Sequence, residues 1–217
     1  MSHATFKHGI GLVLSFALVV AAGCKSDHDN RAEVMTESIS SMQSARQGLV
    51  DANKEVDDTL AAMNALPGAS DMNAAMTTFK DKVKETEDTA ANAKEKAADM
   101  RARGREYVNQ WEDNMSQVTD PAMRQNMTAR QEAVRANFSS IRSAMRDAAD
   151  AYTPYMAHLK DIETALALDM TPAGIKTVQP TMAKATAEGA TLKEKINAVI
   201  AKMDSVTNAM APAQPAK

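Results

Sequence analysis

The sequence predicts an all-α protein: an elongated antiparallel bundle of four long, heptad-patterned helices with coiled-coil-like packing. Apolar residues recur about every 3.5 positions from Asn30 to Met210, the spacing that lays one stripe along a helix and drives a left-handed supercoil. Gly and Pro number only eight and seven in 217 residues, too few for the many tight turns of a β-sandwich. The chain is 44% hydrophobic, but Ala supplies much of that share and only four Phe, three Tyr and one Trp are present. Thin, closely spaced helices suit that composition better than a thick globular core.

Each helix has its own start and stop. The first carries Met35, Ile39, Met42, Ala45, Leu49, Ala52, Val56, Leu60 and Met63 in line, and Leu66-Pro67-Gly68 ends it. Ser70 or Asp71 caps the second, whose stripe runs from Met72 and Met76 through Phe79, Val83 and Met100 to Gly104, Tyr107, Trp111 and Met115. Thr119-Asp120-Pro121 closes that helix and opens the next, with Asp120 as N-cap and Pro121 in the first turn. The third stripe is Met123, Met127, Arg130, Val134, Phe138, Ile141, Met145 and onward to Leu166. Pro154 inside it removes one backbone hydrogen bond and predicts a kink near Ala151. Thr171-Pro172 repeats the cap-and-proline signal for the fourth helix, Ile175 to Met203, where Pro180 predicts a bend or a delayed start.

Short connections make the four helices up-down-up-down neighbours. The outer two read as about 37 residues and the middle two as about 48, so at about 1.5 Å per residue the middle pair outreaches the others. The expectation is a two-helix tip holding roughly residues 107–133, with the first helix starting and the fourth ending at its base.

Residues 1–23 read as a removable secretory segment: Lys7, then an apolar run from Ile10 to Val20 too short to span a bilayer comfortably, then Val20-Ala21-Ala22-Gly23-Cys24. Small residues admit a peptidase, and the thiol of the chain's one Cys accepts a diacylglyceryl group. This resembles the lipobox of bacterial lipoproteins, with Ala21 where Leu is commoner. Residues 24–29 would be a lipidated tether, residues 30–210 the bundle, and residues 211–217 a disordered Ala/Pro tail. Lys25 after the lipidated Cys leans toward the outer membrane. The expected place is the bacterial envelope, lipid-anchored and facing the periplasm.

Composition also narrows function. A net charge of −3 argues against a dedicated nucleic-acid binder. No GxSxG, HExxH, P-loop or Gly-rich dinucleotide loop is present, so no enzyme activity, resident metal or cofactor beyond the lipid on Cys24 is expected. The candidate partner-binding residues are Tyr107, Trp111, Met115 and Arg130 at the tip. Trp and Tyr favour interfaces, and Arg130 falls on the core-facing stripe. The plainer reading packs the three apolar residues against Met123, Met127 and Val134 across the hairpin. Residues 101–146 hold eight Arg, no Lys and five acids, a local charge of +3. That patch suits anionic headgroups or an acidic partner. Its plainer reading is a solvated face, with Arg101 and Arg105 paired to Glu106 and Asp120. His158 reads as a satisfied interface residue.

Tyr107-x3-Trp111 before the mid-chain turn, then Tyr152-x-Pro154, Leu159-x-Asp161 and Leu166, resemble a family of bacterial envelope proteins catalogued only as a domain of unknown function. The turn after Leu168 departs from that family's Asn-containing pattern. The resemblance implies a long helical bundle in the envelope and no particular activity. The functional expectation is a lipid-anchored coiled-coil protein that acts by binding, as a structural or adaptor element. The alternative is a periplasmic lipid or copper carrier using the seam supplied by 16 Met. Monomer and coiled-coil oligomer both fit the heptads.

Overall fold

The computed structural model describes residues 27–210. The expected signal segment, the lipidation site Cys24 and the expected tail lie outside the described residues. Four α-helices make up most of the described residues: α1 (Asp27–Ala65), α2 (Met72–Met115), α3 (Pro121–Leu168) and α4 (Pro172–Met210). One turn of 3-10 helix, Leu66–Gly68, follows α1. α1 packs on α2 and α4, and α3 packs on α4 and α2. This is the antiparallel all-α bundle that the heptads predict, and the core is the seam they trace. Met42, Val56, Met63, Phe79, Val83, Met100, Ile141, Tyr155, Leu159, Ile162, Ile196 and Met203 are buried in it.

The caps form where the sequence places them. Asp71 accepts a hydrogen bond from the Ala74 N–H at 3.0 Å, and Asp120 accepts one from the Met123 N–H at 2.7 Å. Each satisfies a donor that a helix start would otherwise leave unpaired. At the α3–α4 turn, Asp169 accepts from the Thr171 N–H at 3.0 Å, and the Thr171 hydroxyl accepts from the Gly174 N–H at 3.4 Å.

Neither interior proline ends or delays its helix. α3 runs unbroken through Pro154, and α4 begins at Pro172 with Pro180 inside it. Both interior prolines are exposed, so the carbonyl that each leaves unbonded faces water. Helical register also survives. Two α2–α3 ion pairs, Glu112–Arg135 and Glu87–Lys160, lie on either side of Pro154 with the same sequence offset.

The helix ends differ from expectation more usefully. α1 starts at Asp27 and takes in part of the expected tether, while α2 stops at Met115. Inter-helix pairs fix the levels. Arg46 clamps Asp204 with two hydrogen bonds, at 2.5 and 3.1 Å, and Asn53 donates to Asn197 at 2.7 Å. Continuing that antiparallel register brings the last residue of α4, Met210, level with Ser40. Arg103 meets Glu37 at 2.9 Å, which brings Asp27 level with Asp113 near the end of α2. The tip is therefore built of three helices. α1 accompanies it to the end, and α4 alone stops about 20 Å short, taking about 1.5 Å per residue.

Three polar groups inside the seam, Thr59, Thr86 and Tyr155, find partners across it. The Thr59 and Thr86 hydroxyls lie 2.7 Å apart, and Thr59 also donates to the Lys82 carbonyl at 3.0 Å. The Tyr155 hydroxyl points to the Val56 carbonyl at 3.5 Å. Burial pushes the Tyr155 phenol well above its ordinary value, and burial with the Glu87 charge pushes Tyr152 up to about 12. A phenol whose pKa is raised by folding stabilises the fold below the unfolded value of 10.0, and that contribution is lost as pH rises past it. Stability should therefore fall between pH 10 and about 12. Lys54, Lys82 and Lys84, held protonated by Asp58, Glu85 and Asp88, act in the same direction. Urea unfolding at a series of pH values isolates the tyrosine part: Tyr155→Phe should flatten the alkaline decline, and an unchanged slope would refute the assignment.

Close packing at the α3–α4 turn yields a second prediction. A Cβ on Gly174 would sit 2.0 Å from the Asp169 carbonyl oxygen, whereas one on Gly68 would meet nothing within 4 Å. Alanine favours a helix by about 1 kcal/mol over glycine, yet Gly174→Ala should destabilise by about 1–3 kcal/mol through backbone overpacking. Gly68→Ala should be close to neutral. Thermal melts of the two variants check the contrast.

Candidate functional site at the three-helix tip

Where α4 ends, the inner faces of α1, α2 and α3 lose their cover. A groove of about 230 Å³ opens there, lined by Arg31, Tyr107, Gln110, Trp111, Asn114, Met115, Val118 and Met127. Three of the four candidate residues are thus brought together, since Tyr107, Trp111 and Met115 follow one another down the interior stripe of α2. The Tyr107 and Trp111 rings meet edge to face, centroids 5.9 Å apart and planes at 83°. That geometry sets the positive ring edge against the negative face. Both rings are only half-buried.

Arg130 is not where the stripe predicts it. It is exposed, and Gln131 is buried in its place. The seam runs Met127, Gln131, Val134, Phe138, with steps of four, three and four; counting through Arg130 took the short step one turn early. Arg130 still bears on the site. Burial raises the Tyr107 phenol's pKa, and the Arg130 charge opposes that rise. Of the residues expected across the hairpin, Met127 joins the groove, while Met123 is 57% exposed and takes no part in it.

At the tip, the Trp111 indole N–H and the Gln131 side-chain amide are buried without partners among the described residues. The Gly104–Phe138 contact, carried one heptad toward the tip, places Trp111 and Gln131 at one level of the α2–α3 seam. Each unpaired donor costs about 1–3 kcal/mol. Sequence reasoning missed Gln131, although a polar residue on an apolar stripe was the available signal. Gln110, Asn114 and Arg31 carry no such signal, because helix-surface residues of those types are common.

Three of the eight arginines in residues 101–146 are committed. Arg103 pairs with Glu37 and Glu106, and Arg135 with Glu112. Arg124 donates twice to the Val118 carbonyl, at 2.9 and 2.5 Å, and so braces the turn. The expected pairing of Arg101 and Arg105 with Glu106 and Asp120 does not form, since Glu106 joins Arg103 and Asp120 caps α3. A second hollow, about 520 Å³, lies along one face of α3 at Pro121, Arg124, Thr128 and Glu132. It lacks the aromatic wall of the groove.

Elsewhere, His158 Nδ1 lies 2.6 Å from Glu188 and joins α3 to α4, as an interface residue should. Among the described residues no group of three or more His, Cys, Asp or Glu is placed to hold a metal ion. Met42, Met63, Met76, Met100, Met182 and Met203 are packed into the core. No described helix is long and apolar enough to cross a membrane.

Long antiparallel helices, one heptad seam and an aromatic groove at one end define an elongated helical-bundle protein. The chain belongs to the family described as "Protein of unknown function (DUF2959)", whose model matches residues 29–210. No curated protein and no solved structure matches it.

The groove's position outside the four-helix core carries an energetic expectation. Trp111→Ala should cost about 1 kcal/mol or less, as for a residue outside the packed interior. Leu159→Ala, wholly buried, should cost about 2–5 kcal/mol. Equal losses in urea unfolding would mean that the tip and the core are one cooperative unit.

Proposed function

We propose that this chain acts by binding, as a structural or adaptor element of the bacterial cell envelope, held at a membrane by lipid on Cys24 and facing the periplasm. The observation that carries this reading is the tip groove. It offers a half-buried Tyr107–Trp111 pair beside Met115 and Met127, with an unpaired indole donor in its wall. Aromatic, Met and Arg side chains are the types that dominate binding hot spots. The α1 start lies beside the same groove, so a lipid on Cys24, three residues before Asp27, would hold the tip close to the membrane. The N-terminal signal pattern and Lys25 favour the outer membrane.

Photo-crosslinking in living cells tests this. A probe at Gln110 or Asn114 should give a discrete protein adduct that a probe at Lys84 does not. Trp111→Ala should abolish the adduct. Adducts of equal yield from all three positions, or none from the tip, would sink the adaptor reading.

A further inference from the structure

We propose that the outer rim between α2 and α3 is a binding site for a phosphate group, formed by Arg101, Arg105, Arg142 and Arg146. The site lies on other residues than the tip groove and does not depend on it.

The argument begins with register. Three ion pairs cross this rim: Lys80–Glu163 at 3.6 Å, Lys160–Glu87 and Arg135–Glu112. Each pair can be moved along the two antiparallel helices by whole heptads. Lys80–Glu163 moved by three heptads becomes Arg101–Arg142. Glu87–Lys160 moved by two becomes Arg101–Arg146, and Glu112–Arg135 moved by one becomes Arg105–Arg142. The known pairs lie on both sides of the cluster, so its placement is an interpolation. At this one level a rim of opposite charges becomes a rim of like charges.

The surroundings offer no compensation. All four arginines are exposed, and among the described residues none has an acid within ion-pair distance. The one contact is from Arg142 to the Ser139 hydroxyl, at 3.5 Å. Asp99 and Glu106 are engaged with Arg103, and Asp147 and Asp150, which follow Arg146 on α3, form no ion pair with the four arginines among the described residues. Between the flanking pairs the rim positions of both helices hold Ala, Lys, Met, Ser, Thr and Val besides the arginines, and no Asp or Glu.

Residue choice then indicates the ligand. Along the rest of α2, and beyond Arg146 on α3, the basic residues are lysine: Lys80, Lys82, Lys84, Lys94 and Lys96 on α2, and Lys160 on α3. Between residues 101 and 146 every basic residue is Arg. Lys would serve equally for solubility. Arg presents two parallel N–H donors to two oxygens of an oxyanion, and four guanidiniums supply the donors that a tetrahedral phosphate accepts. A soluble molecule and a lipid headgroup both present such a phosphate, and the test separates these.

The test uses the chain from Lys25 to Lys217, which contains the whole packed bundle. Pyrophosphate is titrated by calorimetry at about 0.1 M salt, where loose surface attraction is largely screened. In parallel, flotation is measured with phosphatidylcholine vesicles with and without phosphatidylglycerol. Binding of pyrophosphate alone marks a soluble ligand, and flotation that requires phosphatidylglycerol marks a lipid headgroup; either supports the site. Replacing all four arginines by Gln should weaken the binding at least tenfold, with replacement by Lys falling between. The Gln variant should also melt at or above the wild-type temperature without phosphate, because it removes like-charge repulsion, so misfolding is not a route to a false positive. The proposal fails if neither probe binds, if the Gln variant binds as well as the wild type, or if polyglutamate competes as strongly as pyrophosphate.

Discussion

A single antiparallel register, held by a seam of small and flexible side chains, underlies the rest of this structure. Ala and Gly on the stripe let the helices approach closely. A Cβ on Gly104 would lie 2.7 Å from the Phe138 ring, and Ala45 and Ala185 are wholly buried. Met fills the gaps that these small residues leave. Because the seam allows no slip without exposing its apolar face, each inter-helix pair fixes the level of every other. The Arg46–Asp204 clamp and the Glu37–Arg103 pair are consequences of that register more than causes of it. As exposed or half-exposed ion pairs they contribute little by themselves.

Unequal helix lengths acting on that register produce the tip. α4 is 39 residues and α3 is 48, and with a short turn at one end the difference appears wholly at the other. The bundle loses one wall while its interior stripe continues into Tyr107, Trp111 and Met115. Those side chains keep the character of core residues without the cover of a core. Partial burial and unpaired donors follow from this directly, and these are the properties that make the groove a candidate for binding. The buried core lies further along, at Phe79, Tyr155, Leu159 and Ile196.

The rim charges obey the same register. Along most of α2 and α3 it sets acid against base, which favours this pairing over slipped alternatives. At Arg101 and Arg142 it sets base against base. Such a local conflict within an otherwise consistent pattern is what functional sites leave behind when binding and stability ask for different residues.

The sequence by itself determined the helix count, the caps and most of the core, because each rests on local physics. A heptad stripe specifies a helix face, Asp71 and Asp120 satisfy N–H groups within their own first turns, and Pro-Gly or Asp-Pro ends or begins a helix wherever it stands. Tertiary structure decided whatever depended on neighbours. Pro154 and Pro180 lie inside continuous helices at exposed positions, and which side of a helix meets water depends on its neighbours. Arg130 yields its buried place to Gln131 because the α2–α3 seam chooses which of two adjacent residues turns inward. The expected two-helix tip becomes a three-helix tip because α1 extends to Asp27 and α2 stops at Met115, shifts of a few residues at helix ends that capping signals locate only loosely. The arginine rim exists only across two helices, since Arg101 and Arg142 are far apart in the chain and share a level solely because packing has set the register.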